Sequence, residues 1–175
     1  IMFKIITRFY IYNKSHSCYN NFFFRGFMSK ISCIRIIHFC AGHRLLNHEG
    51  KCANVHGHNY DAHIYAEAES LDSIGRVIDF SVLKEKVGGW IETNWDHNFL
   101  VNEQDAGLIA ALRITPQAKA PFICPFNPTA ELMANYLLTV VCPQVLAGTG
   151  ISVPKIILYE TANCYAVAER DHKTQ

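Results

Sequence analysis

The sequence has little charge, and neither sign dominates. It contains 16 Lys and Arg residues against 15 Asp and Glu, which gives a formal net charge of +1, and it has no dense Lys/Arg patch. Proteins that bind nucleic acid over a broad surface carry a clustered excess of basic residues, so the composition argues against that class. No uninterrupted apolar run approaches the roughly 20 residues of a membrane-spanning helix. The composition therefore favours a small molecule, or another copy of the chain, as the binding partner.

The cysteines form neither a CxxC pair nor a regular framework. The seven residues stand at positions 18, 33, 40, 52, 124, 142 and 164. An odd, scattered set is typical of reduced thiols in a cytosolic protein, so we expect a cytoplasmic location. The length of 175 residues suits a single domain, and the 50% of residues that are apolar suffice for a substantial core.

The first 27 residues differ in composition from the rest of the chain. They are rich in Ile, Phe, Tyr and Asn and contain no acidic residue. They lack the clean apolar centre and the small-residue cleavage site of a secretory signal, while the absence of acids also fits a mitochondrial presequence. We expect residues 1–27 to be a poorly ordered N-terminal extension, and residues 28–175 to form one domain.

The hydrophobic periodicity predicts an α+β domain with an antiparallel sheet. One helix is predicted to follow Asp79 or Ser81 as its N-cap, and another is predicted to begin at Asn127 as cap with Pro in the first turn. Residues 96–127 contain three prolines and are interpreted as mixed loop structure. Alternation of apolar and polar residues predicts strands over about 31–40, 57–69, 155–160 and 165–169.

Three histidines near the first two predicted strands indicate a metal site. His56 and His58 are two residues apart, so in a strand their imidazoles point to the same side. Gly57 between them has no side chain to crowd a bound ion or substrate. His43 follows the first strand, and pairing of the two strands would bring its imidazole to the other two. Three neutral histidines with an open fourth position are typical of catalytic zinc sites, whereas structural zinc sites usually have four protein ligands.

Two other interpretations of these histidines remain open. A histidine in an apolar strand is often a core residue with its hydrogen bonds satisfied. Alternatively, Cys52, four residues before His56, supplies a fourth ligand and closes the site, which would make the chain a non-catalytic zinc-binding structural protein. If Cys52 does not bind the metal, its thiolate can serve as a base or a nucleophile beside it.

Two further groups are candidates for chemistry. Asp96 precedes His97 directly, and a carboxylate beside a histidine can orient the ring for general acid–base work, although neighbours in sequence need not face each other. Glu160 ends an apolar strand. Most such residues mark only the end of a strand, but a buried glutamate there can bind an amidine-like edge through two parallel hydrogen bonds.

Six blocks of sequence occur together and in order. They are FCAGHRL (39–45), KCANVHGHNY (51–60), VIDF (77–80), DHNFL (96–100), NPTAE (127–131) and YET (159–161). The series resembles the 6-pyruvoyltetrahydropterin synthase and 6-carboxytetrahydropterin synthase family over about residues 31–169. The resemblance implies zinc bound by His43, His56 and His58, with Cys52 as the base that abstracts a proton.

The resemblance also implies roles for residues farther along the chain. Asp96 and His97 would form a proton relay, and Glu160 would also belong to this relay. Glu160 would anchor the pterin ring, and Thr129 and Glu131 would line the pterin pocket. The implied fold is the tunnelling fold, a four-stranded antiparallel sheet with two helices packed on one face. Trimers of that fold close into a barrel and stack in pairs as a homohexamer, with active sites between subunits.

The spacing between the cysteine and the histidine pair distinguishes members of this family. Three residues separate Cys52 from His56, as in the carboxy-pterin enzymes of queuosine biosynthesis, whereas the biopterin-pathway enzymes usually have a gap near five. A third subgroup has glutamate in place of the cysteine. The resemblance therefore implies a zinc-dependent lyase that converts 7,8-dihydroneopterin triphosphate to 6-carboxy-5,6,7,8-tetrahydropterin, acetaldehyde and triphosphate. The alternative is a 6-pyruvoyltetrahydropterin synthase of tetrahydrobiopterin biosynthesis.

Overall fold

A computed structural model describes residues 30–116 and 119–171, and the extension predicted for residues 1–27 lies outside them. A long antiparallel pair forms the centre of the sheet. β1 (Ser32–His43) runs against β2 (His56–Ala68), with Ser32 opposite Glu67 at one end and His43 opposite His56 at the other. On the far side of β2 lie β5 (Ile151–Thr161) and then β6 (Cys164–Glu169), both antiparallel to their neighbours. The strands predicted from alternation thus occur where expected.

Two short parallel strands extend the sheet beyond β1. β3 (Asn98–Asn102) pairs with β1, and β4 (Phe122–Cys124) pairs with β3, which gives the order β4-β3-β1-β2-β5-β6. The prediction of a four-stranded antiparallel sheet is therefore wrong, because the sheet of the described residues is six-stranded and mixed. Strands of five and three residues are too short to show a clear alternation, and Pro121 and Pro125 on either side of β4 are typical of loops.

The described residues contain three helical regions, one more than predicted. The first, α1, combines α-helical Phe80–Leu83, π-helical Lys84–Gly88 and α-helical Gly89–Asn94. The additional helix, α2, is Ala106–Arg113. The third, α3, combines α-helical Ala130–Tyr136, π-helical Leu137–Val141 and α-helical Cys142–Val145. None of them is long and apolar enough to span a membrane, so the structure describes no membrane helix in this part of the chain.

Side-chain caps fix where the helices begin. The Asp79 carboxylate accepts from the backbone N–H of Ser81, as predicted for α1. The Asp105 side chain caps α2 by accepting from the backbone N–H of Leu108. This helix start was overlooked because the prolines of residues 96–127 led to their interpretation as mixed loop structure. For α3 the prediction of Asn127 as cap is wrong, because Thr129 accepts from the backbone of Leu132. Asn127 instead binds a neighbouring loop.

One face of the sheet, α1 and α3 enclose a hydrophobic core. Alternate strand residues point to this face, because side chains in a strand alternate between the two sides. Burying a large apolar side chain completely contributes about 1.5–3 kcal/mol, so this cluster supplies most of the stabilisation of the fold. Its largest fully buried side chains include Tyr60, Ile64, Leu83, Ile91, Trp95, Leu100, Met133, Leu137, Leu138, Ile156 and Leu158.

Candidate metal centre

The strand register brings three imidazoles together at one end of the core face. His43 lies directly opposite His56 across the β1–β2 pair, and His58 lies opposite Ala41. His56 and His58 are two residues apart in β2 and therefore share a face. One ring nitrogen of each histidine lies within 4.8 Å of the corresponding nitrogens of the other two. The structure thus forms the convergent set that the spacing predicted.

Backbone carbonyl groups orient two of the three rings. Nδ1 of His43 donates to the carbonyl oxygen of Pro128 at 2.7 Å, and Nδ1 of His56 donates to that of Asn54 at 2.8 Å. A carbonyl oxygen only accepts, so each Nδ1 carries the proton and each Nε2 presents a lone pair. The two Nε2 atoms are 3.2 Å apart. Nitrogens bound tetrahedrally to one zinc ion at about 2.0–2.1 Å are about 3.3 Å apart, so the donor set fits zinc.

Burial keeps the first of these histidines neutral. His43 is only 2% exposed. Burial lowers the pKa of His43, and the neighbouring His56 and His58 lower it further, against the opposing effects of the Pro128 carbonyl and Glu160. A metal ligand must be the neutral imidazole, so this environment favours the form that binds a metal.

Glu160 and Tyr60 lie beside the imidazoles. Oε1 of Glu160 is 3.6 Å from Nε2 of His43 and 3.5 Å from Nε2 of His58. The hydroxyl of buried Tyr60 lies 3.5 Å from Nδ1 of His43. Burial raises the pKa of Tyr60 well above its ordinary value, and so do the charge and hydrogen bond of Glu160 and the charge of Cys52. Tyr60 therefore stays a protonated donor next to the Glu160 carboxylate.

Cys52 lies in a short 3₁₀ turn, Lys51–Ala53, next to this group. Its carbonyl oxygen accepts from the backbone N–H of Leu45 at 2.8 Å, which connects the turn to the segment after His43. The thiol is half-buried, and its charge acts on Tyr60. The structure therefore places the predicted base close enough to Tyr60 for a thiolate at Cys52 to raise the pKa of that hydroxyl.

Asp96 and His97 lie elsewhere, on the opposite face of the sheet with Cys40. Nδ1 of His97 is 2.9 Å from Oδ2 of Asp96. Burial raises the pKa of Asp96, but hydrogen bonds from the Cys40 N–H and from His97 outweigh it, so the net shift is downward. Among the described residues, no hydrogen bond or ion pair joins this pair to the three histidines. The structure thus brings Asp96 and His97 together, on the face of the sheet opposite the three histidines.

The predicted pocket residues Thr129 and Glu131 lie at the start of α3. Thr129 caps the helix and directly follows Pro128, whose carbonyl oxygen binds His43. Glu131 is exposed in the first turn. The segment therefore contacts the histidine cluster through a backbone carbonyl group.

Sequence reasoning missed the groups that support the imidazoles. The same-face rule that pairs His56 with His58 also includes Tyr60, two residues farther along β2, so alternation could have found it. No sequence signal identifies the backbone carbonyl groups of Asn54 and Pro128. Gly57 has a further role that the sequence did not indicate, because a Cβ at that position would lie 2.9 Å from the backbone oxygen of Ala41 and would crowd β1.

Comparison with known proteins places these features in a family. A family model described as 6-pyruvoyl tetrahydropterin synthase matches residues 32–171. A 6-carboxy-5,6,7,8-tetrahydropterin synthase from Rickettsia felis is 36% identical over 135 residues, which are 77% of this chain and 97% of that protein. A probable 6-carboxy-5,6,7,8-tetrahydropterin synthase from Halobacterium salinarum is 33% identical over 122 residues, 68% of this chain and 77% of that protein.

Solved structures share the fold at lower identity. An uncharacterized protein from Wolinella succinogenes is 21% identical with a TM-score of 0.68, over 81% of this chain and 98% of that one. The 6-pyruvoyl tetrahydropterin synthase of Caenorhabditis elegans is 23% identical with a TM-score of 0.59, over 82% of this chain and 98% of that one. These matches establish an α+β fold like that of solved pterin synthases.

Proposed function

Because this chain belongs to the 6-pyruvoyl tetrahydropterin synthase family, we propose that it is a zinc-dependent lyase of the carboxy-pterin type. It would convert 7,8-dihydroneopterin triphosphate and one water molecule to 6-carboxy-5,6,7,8-tetrahydropterin, acetaldehyde and triphosphate, as in queuosine biosynthesis. The observation that carries the proposal is the convergence of His43, His56 and His58 beside Glu160 and Cys52. Relatives with 33–36% identity named 6-carboxy-5,6,7,8-tetrahydropterin synthase favour this product over the pyruvoyl one.

The three histidines would hold the metal. Their Nε2 lone pairs, two of them oriented by carbonyl groups, make a neutral nitrogen set that suits zinc, with a coordination position left for substrate. A zinc ion bound there would polarise the side-chain oxygens of the substrate and make the adjacent C–H bonds more acidic. The pterin ring would lie against Glu160, whose carboxylate can accept two parallel hydrogen bonds from the amidine-like edge.

Cys52 would remove the proton. Its turn is hydrogen-bonded to Leu45, two residues after His43, its charge would act on Tyr60, and a thiolate is an effective base at neutral pH. Glu160 is 27% exposed, so a ligand entering from solvent can reach it. Tyr60, kept protonated, would hold Glu160 in place by donating to its carboxylate. Thr129 and Glu131, at the start of α3, would border the pterin.

Asp96 and His97 would complete the site from a neighbouring subunit. Within one chain they lie with Cys40 on the outer face, away from the Cys52 turn. A relay role therefore requires a second copy whose outer face meets the histidine end of the first. Exposed apolar side chains on that face, Ile34 at 43% and Ile36 at 41%, suit burial between copies. We propose a homo-oligomer, with two stacked trimers as the expected hexamer.

The proposal is tested by incubating the zinc-loaded protein with 7,8-dihydroneopterin triphosphate and identifying products by mass spectrometry. Formation of 6-carboxy-5,6,7,8-tetrahydropterin with acetaldehyde is the expected result. A 6-pyruvoyl product would support the biopterin-pathway alternative. A fully zinc-loaded protein that converts no substrate would refute the enzymatic function and favour the zinc-binding structural protein.

A further inference from the structure

A second group of metal-binding donors lies on the face of the sheet opposite the three histidines. Cys40 in β1 points to the outer face, since it is three residues from His43 and side chains alternate. Asp96 and His97 come from the connection between α1 and β3. A thiol sulfur, a carboxylate oxygen and an imidazole nitrogen of these three residues all lie within 4.8 Å of one another.

Backbone hydrogen bonds fix the three residues relative to each other. The N–H of Cys40 donates to Oδ1 of Asp96 at 2.8 Å, and the N–H of His97 donates to the carbonyl oxygen of Cys40 at 2.7 Å. His97 has a φ of 50°, in the left-handed region. A non-glycine residue is disfavoured there, so the surrounding contacts must hold it in place. The group is therefore largely formed before any ligand arrives.

The chemistry of the donors selects a class of ion. Thiolate and imidazole favour zinc and related divalent transition metals, whereas magnesium and calcium prefer a shell of oxygen ligands. Cys40 and His97 are exposed on the single chain, and in the proposed oligomer they would border the substrate site between copies, where an ion can reach them as the substrate does. The thiol of Cys40 donates to Oδ1 of Asn59 at 3.0 Å, and metal binding would replace its proton. A pocket of about 550 Å³ at this end of the sheet has Cys40, Asn59 and His97 in its lining, together with His56 and His58.

We propose that Cys40, Asp96 and His97 form a second site for zinc or a similar divalent transition metal, separate from the three-histidine centre. Water would supply the remaining coordination. An ion bound there would occupy the Asp96–His97 pair and prevent it from transferring protons. This inhibitory consequence, unlike the site itself, depends on the proposed function.

The test uses cobalt(II), because a thiolate ligand gives a cobalt charge-transfer band that a site of three histidines lacks. The background is the full chain carrying Cys52→Ala, which removes any contribution of Cys52 to the band. Cys40→Ala, Asp96→Asn and the control Cys164→Ala, an exposed thiol on β6, are compared on that background. Asp96→Asn keeps an acceptor for the Cys40 N–H while removing the charge. Circular dichroism of the metal-free proteins establishes that each variant folds.

The expected result is a charge-transfer band and one bound cobalt ion beyond the histidine centre in the background chain and in the Cys164→Ala control. Cys40→Ala should lose both, and Asp96→Asn should need at least about ten times more cobalt to reach the same band. A band of unchanged intensity in the Cys40→Ala chain, or the absence of any band in the background chain, would overturn the proposal. Neither readout depends on catalytic activity.

Discussion

The side-chain amide of Asn127 binds both backbone polar groups of Leu46. Its Oδ1 accepts from the Leu46 N–H at 3.0 Å, and its Nδ2 donates to the Leu46 carbonyl oxygen at 2.9 Å. Leu46 lies three residues after His43, and Pro128, whose carbonyl oxygen binds Nδ1 of His43, directly follows Asn127. The Asn127 amide therefore fixes the segment before α3 to the segment after His43. This contact holds the Pro128 carbonyl group in the position from which it orients the His43 ring.

Replacing Asn127 should weaken zinc binding although the residue touches no metal ligand. Without the amide, the Pro128 carbonyl group would hold the His43 ring less firmly. Loss of such a supporting contact typically lowers metal affinity about 10- to 100-fold. We expect that decrease for Asn127→Ala, measured by competition with a chromogenic chelator. Asn135→Ala, an exposed asparagine on α3, is the matched control, and equal affinities in the two variants would contradict the argument.

Each of the three histidines should be required for metal binding at the core-face site. His43→Ala, His56→Ala and His58→Ala each remove one of three convergent nitrogens, and a site with two remaining protein ligands binds zinc much more weakly. Zinc retained after dialysis, measured by atomic absorption, should fall sharply in all three. His38→Ala, whose side chain is 75% exposed on the other face, should retain as much zinc as the unaltered chain. Full zinc retention in all three site variants would show that the ion binds elsewhere.

The sequence predicted the parts of the site that depend on strand periodicity. Alternation along β2 sets the common direction of His56 and His58, and pairing with β1 brings His43 to them. β3 and β4 were missed because pairing with strands distant in sequence, β3 with β1 and β4 with β3, makes such short segments into strands. The orienting carbonyl groups of Asn54 and Pro128 were also beyond prediction, because every residue has such a group and only the tertiary fold selects these two.

The ion pair of Arg44 with Asp105 should make stability depend on pH in the acidic range. Nη2 of Arg44 donates to Oδ1 of the 4% exposed Asp105 at 2.5 Å, and its Nε donates to the other carboxylate oxygen. This pairing lowers the pKa of Asp105, against the opposing effect of burial. The folded state thus binds the carboxyl proton of Asp105 less readily than the unfolded state. The stabilisation that the ion pair contributes is complete above the ordinary pKa of an aspartate and is lost as pH falls through the lowered pKa.

Asp105→Asn tests this dependence while keeping an acceptor for the cap of α2. At neutral pH we expect the variant to lose about 1–3 kcal/mol of unfolding free energy, the range for a hydrogen bond with a charged partner. Urea unfolding at several pH values should show the difference from the unaltered chain shrinking as the solution is acidified below pH about 4. A difference that stays constant across the acidic range would mean that the carboxylate charge contributes nothing. Asp171→Asn, at an exposed position after β6, is the control.

Cys52 should act as a base and not as a metal ligand. Three imidazoles already supply the protein side of a catalytic zinc site, and a fourth protein ligand would block the position that the substrate needs. Cys52→Ala should therefore keep its zinc and still bind the pterin through Glu160. Its single-turnover rate should fall roughly 100- to 10,000-fold, the usual contribution of a positioned general base. Cys52→Ser should behave in the same way, because an alcohol is a far poorer base than a thiolate at neutral pH.

The decisive comparison pairs zinc content with single-turnover rate in the two Cys52 variants. Cys164→Ala, which removes an exposed thiol from β6, should leave both quantities unchanged. If zinc is lost in proportion to activity, Cys52 belongs to the metal's own ligand set, and the closed site of one cysteine and three histidines replaces the catalytic one. If zinc is retained while the rate falls, the thiol acts on the substrate. Its interaction with Tyr60, the buried neighbour of His43, is the reason to expect the second result.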